Sequence, residues 1–213
     1  YLKKTITHFD KTLIHPLTVQ ALPLAMTAFL GGTMLTVDML MLGYLRTAGE
    51  VGLYSAVQKI IQVAYSLAGI AGISLFAAFS RLYAQDHARF KKLFEEAFRV
   101  MSIGSAAFAI LGIIFAGPIL ALIYGNAYVG GVTAFRLLAA TFFLLAPTEI
   151  GIHALLAAGK QKVFLYSAPI GALSNAALNA LFIPYWGITG AALSTLMTQV
   201  TVNAYLWKKI REL

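Results

Sequence analysis

Cysteine is absent from the 213 residues, so no disulfide staples the fold and no thiolate metal site can form. Charge is scarce as well. Only 11% of the residues are charged and 60% are hydrophobic, against about 25% and about 45–50% in an ordinary soluble domain. The mean hydropathy is +0.80. A water-soluble chain of this length has no core large enough for so much apolar surface, and a bilayer takes up the excess. Acidic residues are the scarcest charged class, 8 against 16 Lys and Arg, for a net charge of +8. There is no phosphate-binding glycine loop, no His-rich metal motif and no nucleophile spaced with a base. Neither an enzyme nor a bound cofactor is therefore expected, and the run Tyr124-Gly125-Asn126-Ala127-Tyr128 reads as an ordinary turn.

What is present is a series of long apolar runs. A hydrocarbon core about 30 Å thick needs roughly 20 helical residues. Six runs reach that length: Leu17–Leu45, Gly52–Ser80, Val100–Leu122 (through Gly117-Pro118), Val132–Ala158, Val163–Ile183 and Gly187–Trp207. They lack the alternation of a membrane barrel. The expected fold is all-α: a polytopic membrane protein with a cytoplasmic segment over 1–16, a six-helix lobe over 17–207 and a cytoplasmic tail over 208–213. Between the second and third runs, Phe90, Leu93, Phe94, Ala97 and Phe98 share one helical face, and Lys91, Lys92, Glu95 and Glu96 the other. With Asp86 as N-cap, 86–99 reads as a helix lying in the membrane interface. The alternative is an extension of the third span.

Basic residues alternate with the crossings. One set of connectors holds Lys3, Lys4 and Lys11; Arg81, Arg89, Lys91, Lys92 and Arg99; Lys160 and Lys162; and Lys208, Lys209 and Arg211. The other holds Arg46 alone. The basic set is assigned to the cytoplasm, with both termini on that side. This accounts for the positive charge without nucleic acid.

Lipid offers no hydrophobic drive between helices, so small and polar seams should pack them. Ser167, Gly171, Asn175 and Asn179 form one such row. Ala64, Ala68 and Gly72 form a second, and Gly190, Ser194 and Thr198 a third. Asn175 and Asn179 read either as seam residues or as cavity lining. Pro23, Pro147 and Pro169 fall inside spans, where each removes a backbone hydrogen bond and favours a kink. Five ionisable groups fall there too: Asp38, Lys59, Arg136, Glu149 and His153. Such groups normally face protein or water. Asp38 and Lys59 come at matching depths on successive spans, which suits an ion pair. Arg136 either snorkels to the interface or offers its fork to a phosphate. Glu149 and His153, one turn apart, read as a proton relay or as an interhelical contact.

Val37 to Ile60 (VDMLMLGYLRTAGEVGLYSAVQKI) resembles the start of the C-terminal half of polysaccharide flippases, relatives of the multidrug and toxin extrusion transporters. The resemblance continues at Phe76–Tyr83 (FAAFSRLY), Ala116–Tyr128 (AGPILALIYGNAY), Phe135–Leu138 (FRLL), Leu155–Lys162 (LLAAGKQK) and Asn179–Ala192 (NALFIPYWGITGAA). It implies one lobe of a two-lobe transporter that turns a polyprenyl-pyrophosphate-linked oligosaccharide across the cell membrane. The partners implied are that lipid, the bilayer, and a missing lobe or second copy. The first residue is Tyr1, not Met, which fits a piece of a longer protein. Under this reading Arg136 and Lys59 meet the pyrophosphate, Asp38 tunes Lys59, and Asn175 and Asn179 line the cavity. A cation-coupled drug exporter would instead place acidic residues in the cavity, and the embedded cations argue against it. A non-transporting scaffold for glycan assembly is the third reading.

The orientation is directly testable. In the whole protein, single cysteines at Asn126 and Trp186 should react with an impermeant thiol reagent on intact cells, and cysteines at Lys92 and Gln161 should not. The reverse labelling pattern would overturn the assignment of the basic connectors to the cytoplasm.

Overall fold

The computed structural model describes Thr18, Ala21, Leu22, Ala25, Phe29 and residues 36–213. The segment 1–16, with Lys3, Lys4 and Lys11, lies outside the described residues, as do Pro23 and most of the first expected span. Its described end is helix α1, Thr36–Leu45. Then follow α2 (Ala48–Gln85), α3 (His87–Ile114), α4 (Ala116–Tyr124), α5 (Val132–Ala157) and α6 (Phe164–Ile210), with short 3-10 turns at Asn126–Gly131 and Gln161–Val163. Among the described residues four helical stretches are long and apolar enough to cross a membrane: Ala48–Gln85, His87–Ile114, Asn126–Ala157 and Gln161–Ile210.

The last of these is folded in two. A straight helix of 47 residues would reach about 70 Å, yet Phe164 and Ile210, at its two ends, sit in one buried cluster with Leu155 and Leu206. The reversal is at Gly187, whose φ of 52° lies in the left-handed region that a side chain disfavours. Three residues on, the chain returns so closely that a Cβ on Gly190 would collide with the Phe182 carbonyl. The two arms, 164–186 and 188–210, correspond to the fifth and sixth runs of the sequence.

Local sequence sets the other boundaries. Thr47 Oγ1 accepts from the Glu50 amide while the Glu50 carboxylate accepts from the Thr47 amide, a capping box that starts α2. Asp86 Oδ1 accepts from the Arg89 amide at 3.0 Å and starts α3. From there the chain stays helical to Ile114. The segment expected as a separate interfacial helix, 86–99, is therefore continuous with the third span, because it contains no glycine or proline to separate the two. The break comes at Phe115 instead, three residues before Pro118, which cannot supply the amide that helix continuation requires. Pro147 and Pro169 are carried inside α5 and α6 without a change of element.

α5 is the centre of the bundle and packs against α2, α3 and α6. The small-residue rows are buried as packing seams: Ala64, Ala68 and Gly72 on α2; Ser167, Gly171, Asn175 and Asn179 on the first arm of α6; Gly190, Ser194 and Thr198 on the second. Meanwhile Val63, Leu67, Ile70, Ile73, Val100, Ile103, Ile110 and Ile114 are exposed. Apolar outside and small or polar inside is the arrangement of a multi-pass membrane protein.

The described connectors gather at two ends. At one end Arg46 Nη2 donates to the Ile183 and Pro184 carbonyls at 2.8 and 2.7 Å, which ties the α1–α2 corner to the α6 reversal. Gly130, in the turn before α5, comes up against Leu53 of the first turns of α2. At the opposite end Lys160 donates to the Glu212 carbonyl at 2.9 Å, and His87 Nε2 lies 3.2 Å from the Leu213 carbonyl oxygen.

Candidate functional site

Asp38 is the most constrained charged group in the described interior, 3% exposed. Its Oδ2 accepts from the Tyr54 hydroxyl of α2 and from Thr195 Oγ1 on the second arm of α6, both at 2.9 Å. Its Oδ1 accepts from Asn179 Nδ2 on the first arm. The same amide nitrogen reaches Asn175 Oδ1 at 3.1 Å. One carboxylate thus joins α1, α2 and both arms of α6. Hydrogen bonds to an ionised group are the strong ones, and three of them offset much of the cost of withdrawing it from water.

Beside this cluster lies a cavity of about 310 Å³, at the lower end of the ~300–1,000 Å³ range of small-molecule sites. Its polar lining is Asp38, Tyr54, Gln58, Gln62, Tyr65, Glu149, Asn175, Thr195 and Gln199, and Ile61, Leu138 and Leu145 complete it. The lining contains two carboxylates and no lysine or arginine. The Tyr65 hydroxyl and Asn179 Oδ1 are buried without a hydrogen-bond partner among the described residues. Buried polar atoms are ordinarily satisfied, so unpartnered ones beside a cavity mark where a ligand group can bind. The arrangement supplies oxygen acceptors, amides and hydroxyls, a chemistry suited to sugar hydroxyls or to a cation. No group of three or more His, Cys, Asp or Glu capable of holding a metal occurs among the described residues.

The structure therefore joins Asp38, Asn175 and Asn179: both asparagines are buried in the seam, and Asn175 also lines the cavity while Asn179 does not. It separates the rest. Lys59 is exposed and makes no ion pair with Asp38. The inward face of α2 runs Tyr54, Gln58, Ile61, Tyr65, and Lys59 is turned about 100° from Gln58 by the helical step. Arg136 is also exposed. Its Nε donates to the Ile113 carbonyl at 3.0 Å, in the last turn of α3, where a cation meets the negative end of the helix dipole. Neither cation reaches the cavity, so the argument from them for an anionic group inside this lobe fails. His153 Nδ1 lies 2.9 Å from the Glu149 backbone carbonyl, not its carboxylate, and the ring packs against Gly72. Glu149 lines the cavity and His153 does not.

Two structural contacts escaped the sequence reading. Arg46 caps the carbonyls freed at the α6 reversal, and Thr148 of α5 donates to Asn203 Oδ1 on the second arm of α6. The solitary Arg46 among otherwise neutral connectors was the available signal for the first. Thr148 and Asn203 carry no signal in sequence, because they are 55 residues apart.

Residues 2–133 match the model of a family described as polysaccharide biosynthesis protein. The chain belongs to that family. No curated protein matches it. Among solved structures it is similar to an outward-facing multidrug resistance MATE family transporter of the MOP superfamily, at 18% identity and a TM-score of 0.79 over 88% of this chain. It is also similar to a MOP superfamily transporter from Pyrococcus furiosus Vc1 (DSM3638), at 19% and 0.74 over 88%. That protein is described as having a binding pocket of reverse polarity that suggests a different function. A third similar structure is MATE in the bent conformation, at 17% and 0.79 over 89%. The polysaccharide biosynthesis chain has the MATE-like fold and spans 43% of the length of each of these proteins.

The separation of Asp38 from Lys59 has a measurable consequence. Lys59→Gln should leave stability in detergent within about 0.5 kcal/mol of the parent. Asp38→Ala removes the acceptor of three donors and should cost about 3 kcal/mol. The double-mutant cycle read by thermal melting should be additive within about 0.5 kcal/mol, and a larger coupling would restore the ion pair.

Proposed function

We propose that the chain is one lobe of a flippase for a polyprenyl-pyrophosphate-linked oligosaccharide, with the cavity beside Asp38 receiving glycan rather than pyrophosphate. The lining carries this reading. Side-chain amides, carboxylates and tyrosines are the groups that bond sugar hydroxyls and cover sugar faces, and a family of polysaccharide biosynthesis supplies a glycan as cargo. In the proposed topology six helices cross: the one ending in α1, then α2, α3 with α4, α5, and the two arms of α6. Both termini are cytoplasmic by the distribution of Lys and Arg. The working unit contains a second lobe, or a second copy of this one, and the cargo moves between the two by alternating access while its lipid tail stays in the bilayer.

One observation favours a second reading. Asp38 and Glu149 with no cationic neighbour in the lining would also suit an organic cation, the cargo of a cation-coupled drug exporter. A surface-glycan assay in cells dependent on the whole protein separates the two. The paired change Gln62→Ala with Gln199→Ala removes uncharged glycan contacts and keeps both carboxylates. It should lower glycan export at least fivefold at unchanged protein level, with no change in tolerance of organic cations. Normal export, or loss of organic-cation tolerance alone, would reject the glycan assignment. Silence of these and of the carboxylate changes together would favour a scaffold.

A further inference from the structure

A separate basic pocket lies at the end of the bundle opposite the Arg46 corner. Its volume is about 470 Å³, and it is lined by Gly159, Lys160, Lys162, Val163, Tyr166, Tyr205, Lys209 and Glu212. We propose that this pocket holds the phosphate of a membrane lipid headgroup. The inference goes beyond the flippase reading, because phosphate capture here would stand whatever the main cavity carries.

Charge is the first argument. Three lysines face a single carboxylate. Glu212 takes the Lys209 ammonium at 3.0 and 3.1 Å, and its backbone carbonyl takes Lys160. Lys162 is exposed and makes no hydrogen bond or ion pair among the described residues. Hydrogen bonding to Lys209 holds the Glu212 carboxyl below the ordinary carboxylate range, so it stays ionised at neutral pH and offsets one of the three lysines. The pocket therefore has one uncommitted cation and two more within it, a surplus that a phosphate neutralises.

Position is the second argument, and it selects a lipid over a soluble anion. The pocket lies where the stretch Gln161–Ile210, long and apolar enough to cross a membrane, begins and ends, and the ends of a span are where headgroups are met. Tyr166 is 64% exposed on its edge, and an exposed tyrosine at the end of a span is an interfacial anchor. Lysines on long stems beside apolar helices reach headgroup phosphates, and basic pockets between spans are sites for them.

The headgroup could belong to an ordinary anionic phospholipid or to a polyprenyl pyrophosphate.

Native mass spectrometry of the whole protein tests the site. The probes are phosphatidylglycerol, phosphatidylcholine of equal chain length, and a polyprenyl pyrophosphate. The parent should retain phosphatidylglycerol or polyprenyl pyrophosphate over phosphatidylcholine, and Lys160→Gln with Lys162→Gln should lower that preference roughly tenfold or more. Lys160→Arg with Lys162→Arg should keep it, and Lys162→Gln alone, which breaks no contact, should lower it in part. Loss for both anionic lipids supports a general lipid-phosphate site, and loss for polyprenyl pyrophosphate alone supports cargo docking. No preference in the parent, or full preference in the Gln variants, overturns the proposal. Because the readout is lipid retention, it is independent of glycan export.

Discussion

A carboxylate withdrawn from water inside a membrane protein has to be satisfied by its neighbours, and Asp38 imposes that condition on four helical segments at once. Tyr54, Thr195 and Asn179 come from three of them to meet its two oxygens. Because unmet donors and an unmet charge are each costly in a low-dielectric interior, the segments cannot separate independently at this level. The same requirement explains the reversal at Gly187. Asn179 and Thr195 are 16 positions apart in one chain segment, and only a fold-back presents both to a single carboxylate. Arg46, at the same end of the bundle, then secures the reversal by donating to the Ile183 and Pro184 carbonyls.

The cavity follows from the same condition. Groups that satisfy Asp38 are amides and hydroxyls, and they extend along α2, α5 and α6 through Gln58, Gln62, Gln199 and Glu149. Cations are held away from it. Lys59 faces outward, Arg136 is spent on a helix end, and the lysines of the α5–α6 corner collect at one end of the bundle. The interior of the bundle is thus polar with a negative bias, its basic end positive and its flanks apolar.

The sequence shows much of this division. Run lengths gave the helical class and, through the paired runs at 163–183 and 187–207, both arms of α6. The rows of small residues gave the seams, since lipid-embedded helices have few other ways to approach closely. Side-chain pairing was legible only where it was local or chemically forced. Asn175 and Asn179 announced themselves by their four-residue spacing. The depth argument for Asp38 and Lys59 failed because equal depth says nothing about rotation, and one helical step turns Lys59 away from the face that Tyr54 and Gln58 present. The contact of Arg136 is not legible in sequence, because its partner is a backbone carbonyl exposed by the break before Pro118, which no side-chain pattern reports. The join between 86–99 and the third span is legible in the absence of any glycine or proline in that segment.

The central claim is that cargo meets the neutral-to-acidic lining and not the embedded cations. Site-specific photocrosslinking in the whole protein measures this most directly, with a photoreactive residue placed singly at Gln62, Gln199, Lys59 and Arg136. During export of a radiolabelled lipid-linked glycan, Gln62 and Gln199 should yield adducts carrying the label, and Lys59 and Arg136 should yield none. Adducts at Arg136 or Lys59 with none at Gln62 or Gln199 would contradict the account and return the cargo to the cations.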